Sequence, residues 1–202
     1  FGYFPVHKEY APDKLMDRKR IVADRNTGDA GMPTILWAGR MLRLKHPELL
    51  IRAARDLRRK GYDFRLTFIG EGAERKKLKV FAKMYGLSDI TTFMDFLSPE
   101  QTREKMADAR IYVMTSNFLE GWGSVIYEAL NAGCATVVSH APGAAPWLIK
   151  DKETGLIFKS GSAASLRECL ETLLKDPGLC DKYGRAAYEQ MHRLWNPMVA
   201  AR

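Results

Sequence analysis

Cysteine is scarce in this chain. There are three in 202 residues, Cys134, Cys169 and Cys180, with no C-x-x-C pair and no adjacent histidine. An odd, widely spaced set argues against a disulfide framework or a structural zinc site and points to a reducing, cytoplasmic setting. Long apolar runs are lacking too: nothing approaches the roughly 20 residues of a membrane-spanning helix. The opening Phe1-Gly2-Tyr3-Phe4-Pro5 has neither an initiator Met nor a basic-then-apolar signal pattern. Signal-led secretion is not expected, and a chain that starts inside an apolar phrase reads as a piece of something longer. Internal repeats and low-complexity tracts are absent. No complete G-x-G-x-x-G follows a strand-like segment, which disfavours dinucleotide binding of that kind.

What is present suits a globular core: 46% hydrophobic and 10% aromatic residues. The formal net charge is +8, and it is uneven. Residues 1–101 hold 20 Lys/Arg against 13 Asp/Glu, whereas residues 102–202 hold 12 against 11. Such a bias fits either an ordinary basic surface or an anionic partner: phosphate, nucleic acid or an acidic membrane face. The run Arg75, Lys76, Lys77, Lys79, Lys83 falls in a helical stretch where only part of it can share a face.

From Pro33 onward, short apolar runs alternate with longer segments of helical period. Strands are expected at Thr34 to Ala38, Phe64 to Ile69, Ile90 to Met94, Ile111 to Met114, Thr136 to Val138 and Leu156 to Phe158. Helices are expected over Pro47 to Lys60, Gly72 to Tyr85, Ser98 to Ala107, Gly123 to Ala132, Ser162 to Lys175 and Pro177 to about Leu194, with a short turn near Pro146 to Ile149. Alternating β and α segments imply right-handed crossovers and an α/β fold, a Rossmann-like doubly wound parallel sheet of about six strands. Ligands of such sheets bind beyond the carboxyl ends of the strands, so the loops after Ala38, Ile69, Met94 and Met114 are where chemistry is sought. Residues 1–33, with the polar Asp24 to Gly31 stretch and a short basic helix candidate at Asp13 to Val22, read as a linker.

Three loops carry candidate chemistry. After the first strand, Gly39-Arg40-Met41-Leu42-Arg43-Leu44-Lys45 puts a glycine and cations just before a helix. Arginine's planar fork and lysine's mobile charge at Arg40 and Lys45 suit a diphosphate. After the second strand, Gly70-Glu71-Gly72 makes a turn tight enough for a ligand to approach the backbone, or serves only as a compact strand-to-helix turn. The most informative phrase is Glu120-Gly121-Trp122-Gly123-Ser124-Val125-Ile126-Tyr127-Glu128. Its glycines free the N–H groups of Gly121 to Ser124 at a helix entry, and its two carboxylates can accept hydrogen bonds from vicinal hydroxyls. A capped helix with a glycine-rich entry accounts for the same residues.

Taken together, Glu120-x7-Glu128 around Gly-Trp-Gly, the phrase Glu128-Ala-Leu-Asn-Ala-Gly133-Cys-Ala-Thr-Val-Val138, Gly39-Arg40-x4-Lys45 and Asp151-Lys-Glu-Thr-Gly155-Leu-Ile-Phe158 resemble the donor-binding half of GT-B retaining glycosyltransferases of family 4. The resemblance runs from about Thr34 to the C-terminus. It implies a nucleotide-diphosphate sugar donor, UDP- or GDP-linked, held without a metal or other cofactor. Arg40 and Lys45 would meet the diphosphate, and Glu120 the sugar hydroxyls. Gly39, Gly70 and the backbone of Gly121, Trp122, Gly123 and Ser124 would line the donor site. Glu128 would bind the ribose diol, and Phe96, within Asp95-Phe96-Leu97, would border the base.

The chain departs from the family pattern at several points. Ser116 stands four residues before Glu120 rather than three, Trp122 replaces the commoner Phe, and His46 replaces a frequent Gly. Gly143-Ala144-Ala145-Pro146-Trp147 lacks the carboxylate of the usual Gly-Gly-x-x-Glu. The length leaves room for one of the two GT-B domains, residues 34–202 with the linker 1–33. The acceptor, a glycan or a lipid-linked molecule, would sit on a missing N-terminal domain, with peripheral contact at an anionic inner membrane face. The isolated chain is expected to bind donor weakly and transfer nothing. Competing readings are a GT-B nucleotide-sugar epimerase, or a basic module for nucleic acid or anionic membrane; no nucleic-acid motif is present, so nucleic acid is not an expected partner.

Overall fold

The computed structural model describes residues 32–194. The expected basic helix at Asp13 to Val22, the linker apart from Met32 and Pro33, and Trp195-Asn196-Pro197 lie outside the described residues. Strands β1 (Thr34–Ala38), β2 (Arg65–Ile69), β3 (Thr91–Met94), β4 (Ile111–Met114), β5 (Ala135–Ser139) and β6 (Gly155–Phe158) form one parallel sheet in the order β3-β2-β1-β4-β5-β6. The helices are α1 (Glu48–Arg59), α2 (Arg75–Met84), α3 (Pro99–Asp108), α4 (Val125–Asn131), α5 (Ala145–Leu148), α6 (Ala163–Lys175) and α7 (Pro177–Leu194).

Central strands are apolar along their length because both faces are covered. All residues of Ile111–Met114 and Ala135–Ser139 are buried, whereas the edge strand Thr91–Met94 is partly exposed and begins with two threonines. The period-2 pleat divides each strand between two cores. Ile35, Trp37, Ile111, Val113 and Val137 join one core, which α1, α2 and α6 cover; Leu36, Ala38, Tyr112, Met114 and Val138 join the other, under α3, α4 and α5. Helix α7 serves both, with Cys180 and Tyr183 in the first and Ala187 and Met191 in the second.

Helix starts follow local chemistry. Ser98 accepts from the Gln101 N–H while the Gln101 side chain accepts from the Ser98 N–H, a reciprocal capping box with Pro99 at the first helical position. Two helices begin later than their periodicity suggests. Gly72 has φ +146° and Gly123 φ +83°, so α2 starts at Arg75 and α4 at Val125. The D-x-x-x-G phrase has a structural origin: Asp151 accepts from the Ile157 N–H at 2.9 Å, and a Cβ on Gly155 would stand 2.5 Å from the Thr136 carbonyl oxygen.

Helix α7 packs on the backbone before β5. A Cβ on Gly184 would meet the Gly133 carbonyl oxygen at 2.2 Å. Gly184→Ala is therefore expected to cost about 1–3 kcal/mol through overpacking, against the roughly 1 kcal/mol gain of alanine in a free helix. Gly178→Ala, whose Cβ would meet only the Asp176 side-chain oxygen, is the near-neutral control. Urea denaturation of the two variants measures the difference.

Candidate functional site

The sheet order reverses at β1, whose neighbours β2 and β4 send their connections to opposite faces, and a cleft opens beyond the carboxyl ends there. Its upper edge is built by backbone contact. The Met41 N–H donates to the Glu71 carbonyl at 2.6 Å, the Glu74 N–H donates to the Met41 carbonyl at 3.0 Å, and the Gly39 N–H donates to the Ile69 carbonyl at 3.0 Å. The loops after β1 and β2 come so close that a Cβ on Gly70 would stand 2.2 Å from the Gly39 oxygen, and one on Gly72 would stand 2.4 Å from the Met41 oxygen. Buried Met41 pins this junction, which leaves the Arg40 side chain exposed, with no ion pair or side-chain hydrogen bond among the described residues.

A 3-10 turn, Arg43–Lys45, follows and is tied to the loop after β4. The Thr115 hydroxyl donates to the Lys45 carbonyl at 2.5 Å, the Trp37 indole N–H donates to the Thr115 oxygen at 2.9 Å, and the Asn117 N–H donates to the Leu44 carbonyl at 2.9 Å. His46 ends this turn with φ 45° and ψ 44°, the left-handed conformation in which glycine is unstrained. Its ring compensates by contacting the Asn117 amide at 3.2 Å and the Glu48 carboxylate at 2.9 Å. His46 therefore closes a turn and fastens two loops.

This clamp brings Lys45 to Glu120. Their side chains form an ion pair, 20% and 14% exposed, and the Ser116 hydroxyl donates to the same carboxylate oxygen at 2.9 Å. Ser116 itself is held through its carbonyl, which accepts from the Ser139 hydroxyl. Past Glu120, the carbonyls of Gly121 and Trp122 accept from the N–H groups of Gly143 and Ala144, each at 2.9 Å. The N–H groups of Gly121 to Ser124 keep no backbone partner among the described residues. Gly123 cannot be enlarged freely, since a Cβ there would meet the Met114 methyl at 3.0 Å and the Pro142 Cβ at 3.2 Å.

The resulting cleft has a volume of ≈ 660 Å³, within the range of small-molecule sites. Gly39, Arg40, Lys45, Gly70, Phe96, Glu120, Gly123 and Ser124 line it, so loops that are far apart in sequence converge on one cavity. Gly121, Trp122 and Glu128 do not form its wall. Gly121 and Trp122 stand at the outer surface, with Trp122 beside Gly143, and Glu128 lies one helical turn beyond Ser124, half-buried. Burial pushes the Glu128 carboxyl above its ordinary range, and the Arg103 charge partly offsets this.

Sequence reasoning passed over Ser116 as a partner of Glu120 and over Thr102 in the cleft lining. A hydroxyl at the mouth of a parallel strand was the available signal for Ser116; nothing local marks Thr102. Among the described residues there is no cluster of three or more His, Cys, Asp or Glu able to hold a metal ion.

The family described as "Glycosyl transferases group 1" matches residues 20–190. A D-inositol 3-phosphate glycosyltransferase from Arthrobacter sp. (strain FB24) is 32% identical over 171 residues, covering 81% of this chain and 40% of the relative. This chain thus spans well under half the length of that protein. Among solved structures, the C-terminal domain of a glycosyl transferase group 1 family protein from Francisella tularensis superposes with a TM-score of 0.74 at 26% identity, over 82% of this chain and 89% of that one. The Anabaena protein HepE, solved with UDP and glucose, shares the fold, with a TM-score of 0.76 at 19% identity over 92% of this chain and 49% of that one.

Lys45→Met and Glu120→Gln are each expected to cost about 1–3 kcal/mol, because either leaves a partly buried charge without its counter-charge. The double variant should cost less than the sum, a coupling that a denaturation cycle reads directly. Glu128 adds a pH signature. Its folded pKa is raised, so the folded state holds the proton more tightly, and stability falls as pH rises through that raised value. Glu128→Gln should therefore match wild type in acid and melt at a higher temperature than wild type near neutrality, in melts recorded across pH.

Proposed function

The chain belongs to the glycosyl transferases group 1 family, and on that footing we propose that its cleft holds a nucleotide-diphosphate sugar for transfer to an acceptor hydroxyl. The observation that carries the reading is the convergence on one cavity of exposed Arg40, Lys45 and the carboxylate of Glu120, beside the free N–H groups of Gly123 and Ser124. Cations and backbone donors suit a diphosphate, and a carboxylate suits sugar hydroxyls.

In the transfer, the bond between the anomeric carbon and the phosphate oxygen breaks while the acceptor oxygen bonds to that carbon. Negative charge grows on the departing diphosphate, and Arg40 and Lys45 stabilise it where it develops. Lysine carries three N–H donors, so Lys45 serves the phosphate without abandoning Glu120. The acceptor proton passes to the leaving phosphate, which is consistent with attack on the face it vacates and with retention of configuration. Glu128 accepts from the ribose hydroxyls, and Phe96 borders the base. UDP is the first nucleotide to test, given that HepE was solved with it. A glycan or lipid-linked acceptor, and catalysis itself, require the remainder of a full-length protein, since the chain spans 40% of the glycosyltransferase it matches.

Calorimetric titration with UDP, GDP, UDP-glucose and GDP-mannose, in EDTA, tests the donor site. One base should bind selectively, and Arg40→Ala and Glu128→Ala should each lose roughly tenfold to a hundredfold in affinity, as for hydrogen bonds to charged groups. Binding no better than that of inorganic pyrophosphate, or variants that bind like wild type, would overturn the reading.

A further inference from the structure

Helix α2 (Arg75–Met84) presents a surface that the cleft does not use. It packs on the core through Leu78 and Ala82, and no acidic residue occurs along it. Its outward face carries Lys76, Lys77, Lys79 and Lys83, and among them stand Val80 at 61% and Met84 at 60% exposure. Residues four apart lie one above the other on a helix, so Lys76, Val80 and Met84 form a single ridge with lysines on both flanks. Lys77 is drawn to Glu74 at 3.3 Å, and Lys79 lies 5.9 Å from the centre of the Phe93 ring. Lys76 and Lys83 have no ion-pair partner among the described residues.

This arrangement is unfavourable in water alone. Lys76 with Lys79, and Lys79 with Lys83, are like-charge neighbours at spacings of three and four, each costing a few tenths of a kcal/mol. A face that serves only solubility intersperses both signs. Two adjacent aliphatic side chains at the centre of the array gain nothing from solvent. We propose that this face docks on an anionic lipid bilayer, with the lysines reaching headgroup phosphates and Val80 with Met84 entering the interfacial layer. Long ammonium side chains spread sideways while the apolar centre sinks, as in helices that lie in the plane of a membrane surface. The cleft lies elsewhere, on the loops; a fluid bilayer, unlike a folded protein, needs no matching relief.

The first turn of α2 adjoins Gly72, which lines the cleft, so docking would hold the cleft mouth at the bilayer surface. The proposal concerns a surface outside the cleft and stands or falls separately from the donor reading.

The test is sedimentation of the full 202-residue chain with vesicles of phosphatidylcholine, with or without phosphatidylglycerol, over a range of salt. The expected result is binding that requires phosphatidylglycerol and weakens as salt rises. The triple variant Lys76→Ala, Lys79→Ala, Lys83→Ala should bind roughly a hundredfold more weakly, about fivefold for each lysine at the surface. Val80→Ser with Met84→Ser should lower binding severalfold while keeping the salt dependence. Melting temperatures within a degree or two of wild type would exclude unfolding as the cause. Equal binding to both vesicle types overturns the proposal, and so does retention of wild-type binding by the triple variant, which would place the contact elsewhere on the chain. If a polynucleotide binds the same lysines while the Val80, Met84 variant sediments with vesicles like wild type, the face is a nucleic-acid surface and the bilayer reading fails.

Discussion

Two backbone segments touch where the first two strands leave the sheet, with no side chain between them. Gly70 lies against the Gly39 carbonyl, Gly72 lies against that of Met41, and Met41 exchanges hydrogen bonds with Glu71 and Glu74. The geometry of the cleft depends on this junction. It fixes where the chain turns after β1, and hence where Arg40 emerges and where the Arg43–Lys45 turn begins. An alanine at position 70 would force the loops apart, because the atom in its path belongs to the backbone and cannot swing away.

From that junction the electrostatics follow. The turn is fastened to the loop after β4 through Thr115, Asn117 and His46, so the ammonium of Lys45 is delivered to a carboxylate 75 residues later in the chain. Ser116 shares that carboxylate, which keeps Glu120 oriented even if Lys45 turns to another anion. The loop bearing Gly121 and Trp122 is braced by Gly143 and Ala144 through backbone bonds alone. The stretch after β5 thus braces the site through its N–H groups, with no carboxylate in Gly143-Ala144-Ala145-Pro146-Trp147.

Among the described residues of the first half, two groups of cations stand in different places. Arg40 and Lys45 face the cleft, while the lysines of α2 are exposed along the outward face of that helix. Some other cations among the described residues of that half are paired locally, such as Arg58 with Asp63 and Arg75 with Asp95. Net charge alone did not distinguish these uses; position on the fold does.

Strand and helix placement was legible in the sequence because burial on both faces demands apolar runs, and helices over such a sheet demand one apolar stripe. The boundaries that moved, at Arg75 and Val125, did so where glycines adopt positive φ. The cleft residues named from motifs do meet at one cavity, except Gly121, Trp122 and Glu128. Local pattern determined the parallel α/β fold, the strand-end location of the loops and the residue types suited to an anion. Only the tertiary structure decided that Lys45 pairs with Glu120, that Ser116 shares that carboxylate, that Glu128 is half-buried with a raised pKa, and that Val80 and Met84 stand in the open. Periodicity records which face of an element is buried, whereas pairing and desolvation arise between elements distant in sequence, whose separation is set by how closely their backbones pack.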